Sequence, residues 1–391
     1  MPKIEPDIET FARIYVVGVG GAGGNAINHM MHSRVRGVEF IAMNTDVQDL
    51  HKSLARKKIN LGKNLTRGLG AGMNPEVGKK AAEETRTEIQ DAIKGADMVF
   101  IAAGMGGGTG TGGSPTIARV ARESGALTVG VVTKPFFFEG TQRMSLALSG
   151  LSELQNEVDA LIIIPNDRLL QTVKKEVSAR DAFGMSDEVL RQAVEGISDL
   201  ITAPGVINVD FADIRAVMSE AGSALMGIGR ASGEKRAEHA ARQAINSPLL
   251  DVSVSGARGV LFAIAGGEDL GMHEIQEAAK IITESISDDA KVIFGAINDS
   301  KLGKGEIKIT VIASGFPEPE GAQSKPLFNP TITAPESPKN NKNQKKDDIL
   351  NAVNGVTTRK VDAAGTVAAD DEEEEWGAVP AFLRRNKDKK D

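Results

Sequence analysis

The chain has 391 residues, enough for two or three domains with a sizeable core, and a formal charge of −7 with basic residues scattered along it, so nucleic acid is not an expected partner. It contains no cysteine, which excludes disulfide staples, thiol catalysis and cysteine–zinc sites. The first ten residues lack the apolar core of a signal peptide, and runs such as Leu161–Ile164 are too short to span a bilayer. The expectation is a cytoplasmic protein with no direct membrane insertion.

After a flexible N-terminus (1–12), short apolar runs at 13–18, 38–43, 97–103, 126–132 and 160–164 read as strands. They are continuous rather than alternating, which suits a parallel sheet covered on both faces. Helical patterns at 24–34, 76–94, 113–124 and 141–157 fall between them, predicting an α/β, Rossmann-like domain over 13–178. The first run leads into Gly18-Val-Gly-Gly-Ala-Gly23, which taken literally is a dinucleotide fingerprint and would suit a nicotinamide-dependent oxidoreductase. The acidic ribose anchor that this reading needs is ambiguous, with Glu39 early and Asp46 late.

The third run leads into a second cluster, Gly104-Met-Gly-Gly-Gly-Thr-Gly-Thr-Gly112, which a dinucleotide domain leaves unexplained. Many glycines let several N–H groups turn toward one point, and the helix that follows, with Pro115 near its start, adds positive potential there. Thr109 and Thr111 bring hydroxyls for phosphate oxygens, and the absence of Gly-Lys-Ser/Thr at the end of the loop excludes a Walker A site. Two glycine loops closing on one long phosphate chain fit a nucleoside triphosphate.

A helical pattern at 187–202, capped by Ser186 or Asp187 and ended by Pro204-Gly205, reads as a spine within a connecting segment 179–207. Beyond it, 208–316 predicts a smaller α+β domain with helices at 211–220, 234–246 and 272–287 and strands at 259–265, 292–297 and 307–312. Residues 317–370 have the composition of a disordered linker, and the acidic tail 371–391 holds the only tryptophan, Trp376, with Val379, Phe382 and Leu383 on one helical face, as in a short docking motif. His29 and His32 share a face but have no third ligand, so no zinc site is expected.

Gly20–Ala26, Asn44-Thr-Asp46, Gly70–Pro75, Gly104–Gly112, Asn208–Asp213 and Val379–Arg385 together resemble the bacterial FtsZ family, the tubulin-like GTPases of the division ring. The resemblance runs from about Ile14 to Phe316 and resumes at the tail. It implies a polymerising GTPase that uses GTP with Mg²⁺. It carries phosphate and sugar contacts onto Gly21, Ala22, Gly23, Gly24, Asn25, Asn44, Asp46, Gly72, Gly104, Gly106, Gly107, Gly108, Thr109, Gly110 and Thr111, with Glu139 and Arg143 at the sugar and phosphate edge. By themselves Glu139 and Arg143 are an ordinary i,i+4 surface pair. Asp46 could hold a magnesium-bound water. Base recognition falls on Phe183 and Asp187, assisted by Asn166 and Asn25: a ring can stack on a purine, and a carboxylate can accept from guanine N1–H and its 2-amino group. Without the family, the favoured reading of Phe183 and Asp187 is a core phenylalanine and a helix cap.

Asp210 and Asp213 form an N-cap and N3 pair, and the resemblance also makes them catalytic. A spine of about 16 residues carries them ~24 Å from the phosphate loops, so they would act on the γ-phosphate of a neighbouring copy stacked head to tail. The chain departs from the common family pattern at Phe137, where many members have asparagine, and at Ala378-Val379 before the tail proline. The expected partners are other copies of itself and membrane-adaptor division proteins bound through 376–386. The rival functions are the oxidoreductase and a scaffold that binds GTP without hydrolysing it.

Overall fold

The computed structural model describes residues 12–171, 178–203, 205–250, 256–287, 289–299 and 301–316. The linker and the tail expected at 317–391 lie outside the described residues, as does most of the N-terminal segment.

The N-terminal lobe runs β1 (Ile14–Val19), α1 (Gly20–His32), β2 (Val38–Asn44), α2 (Val47–Lys52), β3 (Lys57–Asn60), α3 (Lys63–Thr66), α4 (Pro75–Glu84), α5 (Arg86–Ile93), β4 (Met98–Gly104), α6 (Thr109–Glu123), β5 (Leu127–Lys134), a 3₁₀ turn (Phe137–Glu139), α7 (Thr141–Gln155), β6 (Ala160–Pro165) and α8 (Asn166–Gln171). The five expected strands are present, and their side chains alternate between two buried faces. Ile14 and Val16 of β1 join the core that α1 covers, while Tyr15, Val17 and Val19 join the core under α4 to α7. The expected helix 76–94 is two helices. They break at Thr85, whose Oγ1 donates to Ala81 O and accepts from Gly62 N–H.

The spine α9 (Ala179–Thr202) begins well before residue 187: Ser178 is its N-cap, accepting from Asp181 N–H, so Ser186 and Asp187 lie inside the helix. Its apolar stripe, Leu190, Ala193, Val194, Ile197 and Leu200, is buried in the same core as β1 and α1. Then come β7 (Gly205–Ile207), α10 (Phe211–Met218), β8 (Gly222–Ser232), α11 (Arg236–Ile245), β9 (Gly259–Gly266), α12 (Met272–Thr283), β10 (Lys291–Asn298) and β11 (Glu306–Ser314).

Among the described residues all strands belong to one eleven-stranded sheet, ordered β3-β2-β1-β4-β5-β6-β8-β11-β9-β10-β7. β8 makes it continuous by pairing in parallel with β6 (Ala160–Ile162 beside Gly222–Ala224) and antiparallel with β11. It was not expected from sequence, and its glycines explain why. A Cβ on Gly227 or Gly229 would lie about 2 Å from the Ala244 or Ala240 carbonyl oxygen, so these residues let α11 lie directly on the strand. The first six strands follow the doubly wound order 3-2-1-4-5-6, whose direction reverses between β1 and β4, and ligands bind such sheets at that crevice beyond the strands' C-terminal ends.

Candidate nucleotide site

Both glycine clusters sit at this crevice. β1 hands over to α1 at Gly20 and β4 hands over through Gly104–Gly108 to α6 at Thr109, so two helix N-termini open into one cavity. The glycine–threonine motif is therefore partly helix: its Thr109–Gly112 half forms the first turn of α6, four residues earlier than the sequence suggested. Unpaired N–H groups and the positive ends of two helix dipoles converge there, an arrangement suited to a polyanion. Gly20, at φ +71°, lets the loops touch, since a Cβ on it would stand 3.0 Å from Gly110 N. Thr45 Oγ1 and Thr109 Oγ1, 2.7 Å apart and buried, tie the β2 end to the start of α6.

The cavity holds about 450 Å³. Of the residues to which the sequence reading gave nucleotide contacts, Gly21, Ala22, Asn25, Gly104, Gly107, Gly108, Thr109, Gly110, Glu139, Arg143, Asn166, Phe183 and Asp187 line it. Other expected residues shape it from behind. Thr111 is buried, its Oγ1 accepting from Gly106 N–H, so that hydroxyl pins the loop instead of facing the cavity. Gly23 presses against β4, where a Cβ would lie 2.3 Å from Ala102 O. Gly72 belongs to a third loop whose Ala71 and Asn74 back Gly108. Gly24, Asn44, Asp46 and Gly106 also lie outside the cavity lining.

One end of the cavity is walled by α9 and the β6–α8 junction. Phe183 is half exposed and packs edge-on against Phe136 (5.3 Å) and Phe138 (6.5 Å), presenting an aromatic surface at the mouth. Burial raises the Asp187 carboxyl to about 6, against a smaller opposing pull from His29. That carboxyl makes no hydrogen bond among the described residues. Behind it, Glu188 takes Arg191, His29 and Gln192 as donors. Burial opposes its ionisation, but these donors win and hold it down to about 2. Glu139 is a rim residue with two commitments, accepting from Phe136 N–H and pairing with Arg143.

Sequence reasoning missed Thr133, Pro135, Ser186 and Leu190 in the lining. Ser186 reads from sequence as a candidate cap of the spine, and the actual cap at Ser178 makes it interior. Asp49 was missed too: its Oδ2 accepts from Asn44 Nδ2 and lies 3.5 Å from where a Cβ on Gly21 would be, beside the first glycine turn. One Asp46 oxygen accepts from Gln48 and Asp49 N–H at the start of α2. Among the described residues no three His, Asp or Glu side chains converge into a metal site. A triphosphate-borne Mg²⁺ needs only one or two carboxylates, often through water; Asp46 and Asp49 lie outside the cavity lining, so contact through water is the form open to them.

Asp210 and Asp213 are not at the cavity. Asp210 is the N-cap of α10, accepting from Ala212 N–H, with Asp213 in the first turn. From the same helix Arg215 reaches the carbonyls of Asp97 and Gly125, which precede β4 and β5. The glycine loops follow the C-terminal end of β4, so the aspartates and the cavity occupy opposite edges of the sheet, a β4 strand length of ~23 Å apart.

Comparison with known proteins agrees with this arrangement. The tubulin/FtsZ family GTPase domain matches residues 13–174, and the FtsZ family C-terminal domain matches 222–317. An empty FtsZ dimer and a point mutant of FtsZ, both from M. jannaschii, are each 46% identical with a TM-score of 0.76, covering 78% of this chain and 89% and 92% of theirs. A GTPγS-bound protofilament of CetZ2 from Haloferax volcanii shares the fold at 23% identity and a TM-score of 0.67, over 79% of this chain and 94% of that one. The fold and the two-loop site thus define a tubulin-like GTPase. The chain belongs to the FtsZ family.

Proposed function

We propose that this chain is the subunit of a GTP-driven filament, in which GTP held at the glycine edge of one subunit is hydrolysed when the aspartate edge of the next docks over it. The observation that carries this reading is the placement of Asp210 and Asp213 at the sheet edge opposite the cavity, fixed by Arg215 on the carbonyls before β4 and β5. One subunit then holds a binding site and a separate pair of carboxylates with no substrate within reach. Head-to-tail stacking unites them, and such a heterologous contact propagates into a filament. The dimer and protofilament states named for the related structures support self-association.

Within the site, the N–H groups of Gly21, Ala22 and Gly107–Gly110 cradle the phosphates, Arg143 offsets their charge, and Glu139 holds Arg143 at the sugar edge. Asp187 accepts from guanine N1–H and the 2-amino group, which adenine lacks, and Phe183 covers the base. Mg²⁺, held through water by Asp46 and Asp49, would neutralise charge on the phosphates. Asp210 and Asp213 of the incoming subunit orient the water that attacks the γ-phosphorus as its bond to the bridging oxygen breaks. Positioning is most of what phosphoryl transfer asks of a protein.

The cellular role that follows is a cytokinetic ring in the cytoplasm, tethered to membrane adaptors through 376–386. No helix among the described residues is long and apolar enough to cross a membrane. The related structures come from M. jannaschii and Haloferax volcanii, so the ring is not assigned to a bacterial host. The test is GTP turnover per subunit across protein concentration with light scattering in parallel. Turnover should rise above a threshold together with scattering, and a rate per molecule that stays flat down to dilute protein would overturn the shared site.

A further inference from the structure

Ser186 lies inside α9 between Phe183 and Asp187, 5% exposed, and lines the nucleotide cavity. Its hydroxyl donates to Asn166 Oδ1 at 2.9 Å. Asn166, at the β6–α8 junction and 4% exposed, also lines the cavity, and its Nδ2 meets no acceptor among the described residues. A primary amide has one accepting and one donating end. With Oδ1 held by Ser186, the end left for a ligand is the donor.

We propose that Ser186 is a positioning residue for base selection: by occupying Asn166 Oδ1 it turns the amide so that Nδ2 donates to the exocyclic oxygen of the purine, O6 of guanine. The inference rests on the GTP reading above and deepens it. Guanine shows an acceptor at position 6 and adenine an amino donor, so an amide fixed in this sense attracts the first and opposes the second. Asp187 would test N1–H and the 2-amino group, and Asn166 would test position 6 independently. Two checks at different positions of the base reject adenine more strongly than either alone. If Ser186 is lost, the amide is free to rotate, and the orientation with Oδ1 toward O6 sets two acceptors against each other.

The experiment is competition binding of GTP, ITP, ATP and 6-thio-GTP to the full chain, comparing the unaltered protein with Ser186→Ala and Ser186→Thr. The thio analogue keeps N1–H and the 2-amino group but replaces O6 by sulfur, a weak acceptor. ITP lacks only the 2-amino group and so reports on Asp187. The unaltered chain should prefer GTP to 6-thio-GTP. Ser186→Ala should weaken GTP by about threefold to tenfold, the worth of one hydrogen bond, while 6-thio-GTP changes little and the GTP/ITP ratio is preserved. Ser186→Thr, which keeps the hydroxyl, should retain the preference. If Ser186→Ala still prefers GTP to 6-thio-GTP as strongly as the unaltered chain, the positioning role is overturned and the GTP reading stands. If the unaltered chain binds ATP as well as GTP, the base-site reading itself falls, and this inference with it.

Discussion

The two edges of the sheet carry carboxylates in opposite circumstances. At the glycine edge Asp187 is half-buried, raised to about 6 and without a hydrogen-bonding partner among the described residues, inside a cavity lined by residues drawn from 19–190. At the other edge Asp210 is exposed and already used as a helix cap, with the exposed Asp213 beside it, and neither lines the nucleotide cavity. A carboxylate that burial makes costly suits a role in selecting a ligand that supplies its missing donors. One that is exposed and capped suits a role that begins only when another surface arrives. The first edge can act in a lone subunit and the second cannot, so binding and hydrolysis should separate cleanly under mutation.

The largest effect should come from the spine that holds the two edges in register. Glu195 on α9 is almost sealed from solvent and faces Arg191, Lys301 at 2.9 Å and Lys308 at 3.5 Å, joining the N-terminal lobe to the strands beyond it. Glu195→Ala takes the nearest acid from the buried Lys308 and one of two from the buried Arg191, which keeps Glu188, and should cost about 3–5 kcal/mol, read by denaturant unfolding. Burial opposes ionisation of Glu195, yet Lys301, Lys308 and Arg191 hold its carboxyl below the usual range. A folded value below the unfolded one means that this stabilisation is full above the ordinary carboxyl range and is lost as pH falls through it. A midpoint unchanged by the substitution would mean that the cluster contributes nothing net.

Next in size is the aspartate edge. Asp213→Ala should leave GTP affinity within about twofold and lower turnover by about 100-fold or more, the usual yield of a positioned acid–base group. Its filaments should outlive those of the unaltered chain. Mixing it with Asp187→Ala, which keeps its aspartates but binds GTP poorly, should restore part of the activity, because an intact cavity can then meet an intact aspartate edge. If the mixture shows only the sum of the two separate rates, the edges do not share a site.

How much of this was legible in the sequence depended on whether glycine carried its meaning locally. Gly104–Gly112 and Gly18–Gly23 were readable because each interrupts an apolar run and opens a helix. Gly227 and Gly229 were not, because their reason is the backbone of α11 arriving from further along the chain. β8 therefore hid, and with it the strand that fuses two expected sheets into one. Ser186 hid for a related reason: its partner Asn166 is twenty residues earlier, and only the fold brings them within 2.9 Å. Asp210 as a cap was legible, since a capping pair is a purely local pattern.

Asp187→Asn should cost about tenfold to hundredfold in GTP over ATP preference, because the charged acceptor for two guanine donors becomes a neutral one and a charge-assisted hydrogen bond contributes about 1.5–3 kcal/mol. Preference unchanged in a competition assay would move base selection elsewhere in the cavity.

The smallest effect is the most specific to the buried edge. Asp187 in the free protein titrates near 6 because burial penalises its ionised form, so the empty cavity holds a neutral acid below that pH. Its folded value lies above the unfolded one, so the group makes the free protein less stable as pH rises from about 4 to 6, and the penalty is constant above. Guanine needs the ionised form as a double acceptor, so GTP binding must drive the proton off. Affinity should therefore be flat above about pH 6.5 and weaken toward tenfold for each unit below 6, with proton release on binding near pH 6. Asp199 on the spine also titrates near 6, from burial and the neighbouring Glu195, and it blurs any stability profile over the same range. Affinity avoids that overlap, since Asp199 does not line the cavity. The decisive comparison is Asp187→Asn, which should bind GTP more weakly at pH 7.5 but lose the slope below pH 6. A slope that survives the substitution would assign the titration to another group and remove the buried carboxylate from base recognition.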